Sequence, residues 1–193
     1  MITGAANKGK SSVVSALTGD DRIEIYKQAG TTLRSQKYEM TVDGRTALYV
    51  IWDTPGFENS RRLKEILLEL GIQNAQDNLE LFRKFYEQYK SESRFKHEIE
   101  ILKPIIEGAG IVYVVDSSVP FSDSQYLNDI EIIKWTGLPR IAVLNPITDD
   151  QGIDDWRAYL EDHFSMIKIF NPYKVTFEEK LRLLDAFSHL NPD

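Results

Sequence analysis

Eight residues near the start of the chain have the composition and spacing of a phosphate-binding loop. Residues 4–11 read Gly-Ala-Ala-Asn-Lys-Gly-Lys-Ser and fit the pattern G-x-x-x-x-G-K-[ST]. In this pattern the glycines let backbone N–H groups face phosphate oxygens, Lys10 reaches the β- and γ-phosphates, and the Ser11 hydroxyl binds Mg²⁺. A glycine-rich turn that meets the pattern by chance is the alternative. The candidate nucleotide-binding residues in this stretch are Asn7, Lys8, Gly9, Lys10, Ser11 and Ser12.

A second stretch, Asp53-Thr54-Pro55-Gly56, adds groups that suit a triphosphate bound with Mg²⁺. The Asp53 carboxylate can hold the ion through water, and the Gly56 backbone N–H can approach a γ-phosphate because no side chain blocks it. By itself this sequence is only a good turn. Because it follows a phosphate loop and a predicted hairpin, it favours a GTPase.

A third candidate is Gly30-Thr31-Thr32, in the polar segment between the loop helix and the hairpin. A threonine here could give its hydroxyl to Mg²⁺ and its backbone N–H to the γ-phosphate, which would order the segment only in the triphosphate state. Either threonine would serve chemically. The alternative is two threonines in a loop with no ligand role.

The elements that would position these residues alternate between strand and helix. Two β-rich runs, 38–42 and 45–52, flank an Asp43-Gly44 turn and predict a hairpin. Apolar runs predict three further strands, at 110–116, 139–145 and 166–170. Periodic segments predict helices at 123–135, 153–163 and 177–189. This order predicts an α/β three-layer sandwich with a mostly parallel sheet and one antiparallel strand. Residues 1–3 alone precede the loop, against about five in a typical strand, so we expect a truncated first strand at the sheet centre.

The segment from residue 57 to residue 107 has no strand pattern and is predicted to be a helical insert within the domain. Apolar side chains recur there at three- and four-residue steps, which predicts one or two long amphipathic helices. Its acidic and basic residues are interleaved, as on a solvated helix face. Two roles stay open for the insert: covering the sheet, or binding a partner.

The composition is that of a globular protein with one domain, residues 1–193. Apolar residues make up 42% of the chain, and no apolar run approaches the ~20 residues that span a membrane. The absence of cysteine is compatible with a reducing cytoplasm, where we expect the protein to act. The net charge of −7 argues against broad nucleic-acid binding, and we predict no nucleic-acid partner.

The three motifs together resemble those of the bacterial P-loop GTPases of the TrmE, Era and EngA type. The resemblance implies a Ras-like fold of the P-loop NTPase class that binds GTP or GDP with Mg²⁺. It makes Thr32 the switch threonine, so that Ser11, Thr32 and Asp53 hold Mg²⁺, and Lys10, Thr32 and Gly56 act in hydrolysis.

The same resemblance gives meaning to Asn7 and Phe57. It implies that Asn7 helps to bind K⁺ beside the phosphates, where the ion would neutralise charge that develops in phosphoryl transfer. Tolerance of the loop's backbone geometry is the alternative role for Asn7. Phe57 stands where Ras-like enzymes keep a water-orienting glutamine, which implies slow hydrolysis that needs an ion or a partner.

A narrower resemblance covers nearly the whole chain. The helical insert and the strand ending at Asp116 resemble those of bacterial GTPases that carry a C-terminal domain of unknown function, as do the runs 137–145, 155–157 and 164–187. In those proteins a largely helical domain follows the GTPase part. The resemblance therefore implies that residues 1–193 are the GTP-binding part. It also implies that this part contacts a protein partner or that second domain.

The base-reading motif is incomplete. Guanine specificity usually rests on Asn-Lys-x-Asp, whose carboxylate accepts hydrogen bonds that adenine cannot donate. The chain has Asn145 at the first position but Pro146 and Thr148 at the lysine and aspartate positions, so Asp149 can substitute only if the loop bulges. We therefore expect a GTP-hydrolysing switch, and keep a nucleotide-responsive scaffold with little turnover or an ATP-binding P-loop protein as alternatives.

Overall fold

The computed structural model describes residues 1–19, 33–42, 46–72, 78–120 and 124–190. These residues form strands and helices in alternation, as the apolar pattern predicts. The strands are β1 Ile2–Thr3, β2 Gln36–Val42, β3 Thr46–Asp53, β4 Ile111–Asp116, β5 Arg140–Asn145 and β6 Ile167–Ile169. The helices are α1 Lys10–Thr18, α2 Ser60–Glu69, α3 Leu79–Tyr89, α4 Lys96–Ile106, α5 Ser124–Trp135, α6 Ile153–Leu160 and α7 Phe177–Phe187, with 3-10 turns at Ser93–Phe95 and Ser188–Leu190.

The strands form one sheet in the order β2-β3-β1-β4-β5-β6. β2 runs antiparallel to β3, and the other neighbouring pairs are parallel. The predicted fold class, a mostly parallel sheet with one antiparallel hairpin strand, is confirmed. β1 contains only two residues and lies at the sheet centre, where Ile2 pairs with both Asp53 and Val112. The Asp43-Gly44 turn of the hairpin lies outside the described residues.

Helices cover both faces of the sheet, because the central strands are apolar on both sides. In β4, Tyr113 and Val115 belong to a core that also contains side chains of α2 to α6. Val112 and Val114, which point the other way, belong to a second core with side chains of α1 and α7. The result is the predicted three-layer arrangement. No helix among the described residues is both long enough and apolar enough to cross a lipid bilayer.

The insert differs from the prediction of one or two long helices. It contains three, because α2 ends at Glu69 and the chain turns at Gly71 with a φ of +100°, a conformation that interrupts helical geometry. A second interruption separates α3 from α4. The buried Phe82, Phe85 and Phe95 pack these helices into the core beside α2. Outside the insert, the predicted helices and strands agree with the structure to within three residues at each end.

Candidate functional site

The phosphate loop connects the end of β1 to the start of α1, and two of its glycines are required by close contacts. Gly4 has a φ of +145°, and a Cβ there would lie 2.3 Å from the Val114 carbonyl oxygen. Gly9 has a φ of +83°, and a Cβ there would lie 2.3 Å from Nδ2 of Asn145. Asn7 is also left-handed, with a φ of +59°. These residues therefore hold a tight turn whose backbone can curl around an anion.

Lys10 is buried at the first position of α1, inside the loop. Its ammonium donates a hydrogen bond of 2.7 Å to the Ala5 carbonyl oxygen. Burial lowers the pKa of Lys10 to about 8, although the nearby Asp53 and Asp129 carboxyl groups oppose the shift. A negative ligand in the loop would favour the charged ammonium, so the geometry suits a phosphate.

Ser11 and Asp53 meet beside Lys10. The Ser11 hydroxyl donates a 2.7 Å hydrogen bond to Oδ2 of Asp53, which ends β3 and is 2% exposed. Burial raises the pKa of Asp53 to about 6, while the hydrogen bond from Ser11 and the charge of Lys10 act in the opposite direction.

These two side chains fit an Mg²⁺ ion. Among the described residues, the other Asp53 oxygen, Oδ1, is buried and has no hydrogen-bond partner. Mg²⁺ prefers hard oxygen ligands and is usually held by one or two protein groups together with phosphates and water. No cluster of three or more His, Cys, Asp or Glu side chains suited to a metal occurs in the described ranges. An ion here would therefore take its remaining ligands from nucleotide phosphates and water.

The Asp53-Thr54-Pro55-Gly56 turn lies directly against the phosphate loop. The Thr54 hydroxyl donates to the Ile2 carbonyl oxygen at 2.8 Å, which ties the turn to β1. A Cβ on Gly56 would lie 2.4 Å from the backbone nitrogen of Ala6. Only glycine fits so close to the loop.

Phe57 follows the turn but points into the core. Its backbone N–H donates to the Gly4 carbonyl oxygen at 3.2 Å, and its side chain is 0% exposed. The ring therefore helps to hold the turn against the loop. Thr32, the predicted switch threonine, lies outside the described residues together with Gly30 and Thr31.

Asn145 connects the loop to the end of β5. Its buried side-chain amide donates a 3.2 Å hydrogen bond to the Lys8 carbonyl oxygen. The Asn171 amide, from the segment after β6, donates to the Pro146 carbonyl oxygen at 3.0 Å. These contacts join the phosphate loop, the end of β5 and the segment that follows β6.

Asp149 lies further along, in an exposed turn. Its carboxylate accepts hydrogen bonds from the Gln151 N–H at 3.0 Å and from the Thr148 hydroxyl at 3.3 Å. The Ser118 hydroxyl accepts from the Thr148 N–H at 2.9 Å. The structure thus brings Asn145 to the phosphate loop and gives Asp149 local contacts within its own turn and with Ser118.

The loop's other polar side chains reach neighbouring elements. The Lys8 ammonium lies 3.7 Å from Oδ2 of Asp116, at the end of β4, and 5.7 Å from the centre of the Tyr126 ring. The Ser12 and Tyr173 hydroxyl oxygens are 3.4 Å apart. Sequence reasoning did not place Asp116 among the site residues, although its position at the end of a central strand was a signal.

A glycine loop between β1 and α1, with a buried lysine and a hydroxyl–carboxylate pair, defines a P-loop nucleotide-binding domain of the Ras-like class. Residues 1–146 match the family described as "50S ribosome-binding GTPase", and the chain belongs to that family. This family assignment agrees with the resemblance of its motifs to those of bacterial P-loop GTPases of the TrmE, Era and EngA type.

Curated relatives agree with this assignment, and solved structures agree with the fold. GTPase Der from Rhodopseudomonas palustris (strain HaA2) is 30% identical over 114 residues, which is 59% of this chain and 24% of that protein. GTPase Der from Bradyrhizobium sp. (strain BTAi1) is 27% identical over 162 residues, which is 79% of this chain and 35% of that protein. The chain thus spans about a quarter to a third of these relatives.

Two Era structures share the fold over the whole chain. An Era variant from Aquifex aeolicus bound to GDP.AlF4- gives a TM-score of 0.66 at 18% identity and covers 56% of that protein. Era in complex with MgGDPNP and nucleotides 1506-1542 of 16S ribosomal RNA gives a TM-score of 0.64, also at 18% identity, and 56% of that chain is covered. At these identities the structures support the fold alone.

Proposed function

We propose that this chain is a molecular switch that binds GTP with Mg²⁺ and hydrolyses it to GDP and phosphate. The observation that carries the proposal is the Ser11–Asp53 pair, 2.7 Å apart, next to the buried Lys10. Gly56 lies against the same loop, where its N–H can contact a γ-phosphate. The family assignment supports GTP as the ligand.

In this proposal each residue of the site has one role. Backbone N–H groups of residues 7–12 and the Lys10 ammonium hold the phosphates, and Ser11, Asp53 and Thr32 hold Mg²⁺ directly or through water. The ion supplies positive charge that stabilises the phosphates as the bond breaks. Lys10, Thr32 and Gly56 contact the γ-phosphate and favour its transfer to water.

Guanine recognition is assigned to Asn145 and Asp149. Asn145 supports the loop at the base end through its bond to the Lys8 carbonyl. The Asp149 carboxylate is the acceptor available for the guanine N1 and N2 donors, and it would have to exchange its bonds to Gln151 and Thr148 for them. An ATP-binding protein is the alternative if Asp149 does not reach the base.

Hydrolysis by the isolated chain is proposed to be slow, because the buried Phe57 cannot orient an attacking water. Two sources of help are proposed: K⁺ bound through Asn7, and a protein partner or a second domain. The proposal of K⁺ rests on the resemblance of the loop, whereas the left-handed φ of +59° at Asn7 fits the alternative role, tolerance of the loop's backbone geometry. A scaffold with negligible turnover is the second candidate, and the burial of Phe57 favours it.

The partner is proposed to be a protein and the site of action the cytoplasm. One Era neighbour was solved with ribosomal RNA, but this chain carries a net charge of −7, which disfavours a phosphate backbone as a partner.

Phosphate release from GTP tests the proposal. We expect slow turnover that is abolished by Asp53→Asn and is several-fold faster in K⁺ than in Na⁺ buffer. Nucleotide binding without any phosphate release would contradict hydrolysis and support the scaffold. Equal rates with the two cations would contradict the role of Asn7.

A further inference from the structure

The carboxyl group of Glu98, in α4, is buried against the segment that follows the Gly56 turn. Glu98 is 0% exposed, and its Oε1 atom accepts hydrogen bonds from the backbone N–H groups of Glu58 at 2.9 Å and Asn59 at 2.6 Å. These N–H groups lie at the start of α2, where a helix has no intrahelical acceptors to offer. Glu98, in α4, therefore supplies the acceptor for these two N–H groups.

Neighbouring groups hold the same two residues. The Asn59 side-chain amide donates to the Arg94 carbonyl oxygen at 2.9 Å. His97, also buried, places Nδ1 3.0 Å from Oε1 of Glu58. The end of the Gly56 turn is thus fixed by the first turn of α4 and by the residues before it, about forty positions later in the chain.

Helix α4 is itself anchored to the sheet edge. The Ser35 N–H donates to Oε2 of Glu100 at 3.0 Å, and the Ser35 hydroxyl donates to the Glu100 carbonyl oxygen at 2.6 Å. Residues two apart on a helix face different sides. Glu98 can therefore reach the start of α2 while Glu100 reaches the chain just before β2.

The burial of Glu98 makes this contact costly to break. Within the part of the chain that the structure describes, its second oxygen, Oε2, is buried and has no hydrogen-bond partner. If Glu58 and Asn59 moved away, the whole carboxyl group would be left buried and unsatisfied. The contact thus favours one position of the turn, the position in which Gly56 lies against the phosphate loop.

We propose that Glu98 is a positioning residue for GTP hydrolysis, which holds Gly56 at the γ-phosphate through the Glu58 and Asn59 backbone, and that Glu100 anchors the helix from which it acts. This inference rests on the proposed function. GDP has no γ-phosphate, so its binding does not depend on Gly56. Loss of Glu98 lowers the affinity for GTP relative to GDP and lowers kcat.

The test uses Glu98→Ala, Glu98→Gln and Ser35→Ala, with Glu80→Gln as the matched control. Glu80 belongs to α3 of the same insert, and its side chain is 78% exposed. Competition titrations give the dissociation constants of GDP and of a non-hydrolysable GTP analogue. Phosphate release gives kcat and KM, and thermal melting reports folding.

For Glu98→Ala we expect kcat and the GTP-to-GDP affinity ratio to fall by about tenfold, because the substitution removes both hydrogen bonds that Glu98 Oε1 accepts. The dissociation constant of GDP should stay within about twofold. Glu98→Gln keeps an acceptor oxygen, and Ser35→Ala removes only the hydroxyl contact. In each of these variants kcat and the GTP-to-GDP affinity ratio should therefore fall by about threefold. Glu80→Gln should behave as the wild type.

A purely structural role for Glu98 would lower the melting temperature and weaken both nucleotides together, which would overturn the proposal. If Glu98→Ala does not fold, the other two variants decide: a wild-type kcat and affinity ratio in both would overturn it. A wild type that binds no GTP would refute the proposed function itself. An active wild type with unchanged variants would refute only this inference.

Discussion

Three buried ionisable side chains near the loop have pKa values shifted by desolvation. Lys10 is lowered to about 8, Asp53 is raised to about 6, and Asp129 of α5 is raised to about 8. Lys10 and Asp53 face the proposed ligands, so phosphate and Mg²⁺ would favour their charged forms. Asp129 lies behind the site and has no such ligand. Its neighbours are the Tyr113 and Ser60 hydroxyls, with Lys10 and the Glu98 carboxyl group nearby.

Asp129 should make the stability of the folded chain depend on pH. Its folded pKa lies above the unfolded value of 3.8, so between about pH 4 and pH 8 the folded protein keeps a proton that the unfolded chain releases. The free energy of unfolding therefore falls as pH rises through this window, by up to about 1.4 kcal/mol per pH unit. Asp129→Asn removes the titrating group, and urea unfolding at pH 6, 7 and 8 should give a flatter dependence.

Asp154→Asn is the control, because the Asp154 side chain in α6 is 94% exposed. It should leave the pH dependence unchanged. An Asp129→Asn protein whose stability falls with pH as steeply as that of the wild type would show that Asp129 is ionised in the folded state at neutral pH.

At the scale of residues, sequence reasoning could find groups whose roles depend on local spacing. The loop glycines, Lys10 and Ser11 follow one another in the chain, and the glycine pattern alone predicts their geometry. Glu98 could not be found in this way. The interleaved charges of the insert favour a solvated helix face, whereas the structure buries Glu98 against backbone N–H groups about forty residues earlier in the chain. Only tertiary packing brings these groups together.

At the scale of elements, the insert is built into the core. The rings of Phe85, Tyr89 and Phe95 lie 4.6 to 5.3 Å apart, centre to centre, and join α3 to the 3-10 turn that precedes α4. The apolar period predicted helices correctly, but it could not predict their number. The breaks depend on the backbone turn at Gly71 and on how the three helices pack. Covering the sheet is therefore one role of the insert, and the Glu98 contact adds a second.

A core role for α3 predicts a large loss of stability when one of its buried aromatic side chains is truncated. Phe82 is fully buried, so Phe82→Ala should lower the free energy of unfolding by about 3–5 kcal/mol. Leu68→Ala, in the exposed half of α2, should cost under about 1 kcal/mol. Urea unfolding compares the two variants, and a loss for Phe82→Ala no larger than that for Leu68→Ala would place α3 outside the cooperative core.

At the scale of the whole molecule, the sheet order gathers the site from distant parts of the chain. The carboxyl ends of β1, β3, β4 and β5 meet at one edge, and this edge carries the loop, Asp53, Asp116 and Asn145. Alternation of strands and helices was enough to predict the sheet. The base-reading geometry could not be predicted, because Pro146 and Thr148 depart from the usual motif and the position of Asp149 depends on its turn.

A competition titration tests whether this edge of the sheet binds guanine nucleotides. Fluorescently labelled GDP would be bound with Mg²⁺ and then displaced by unlabelled GTP, GDP or ATP, with Lys10→Ala as the loop control. We expect GTP and GDP to displace the probe, ATP to need an at least hundredfold higher concentration, and Lys10→Ala to bind no probe. Displacement by ATP at the same concentration as GTP would contradict guanine recognition by Asn145 and Asp149.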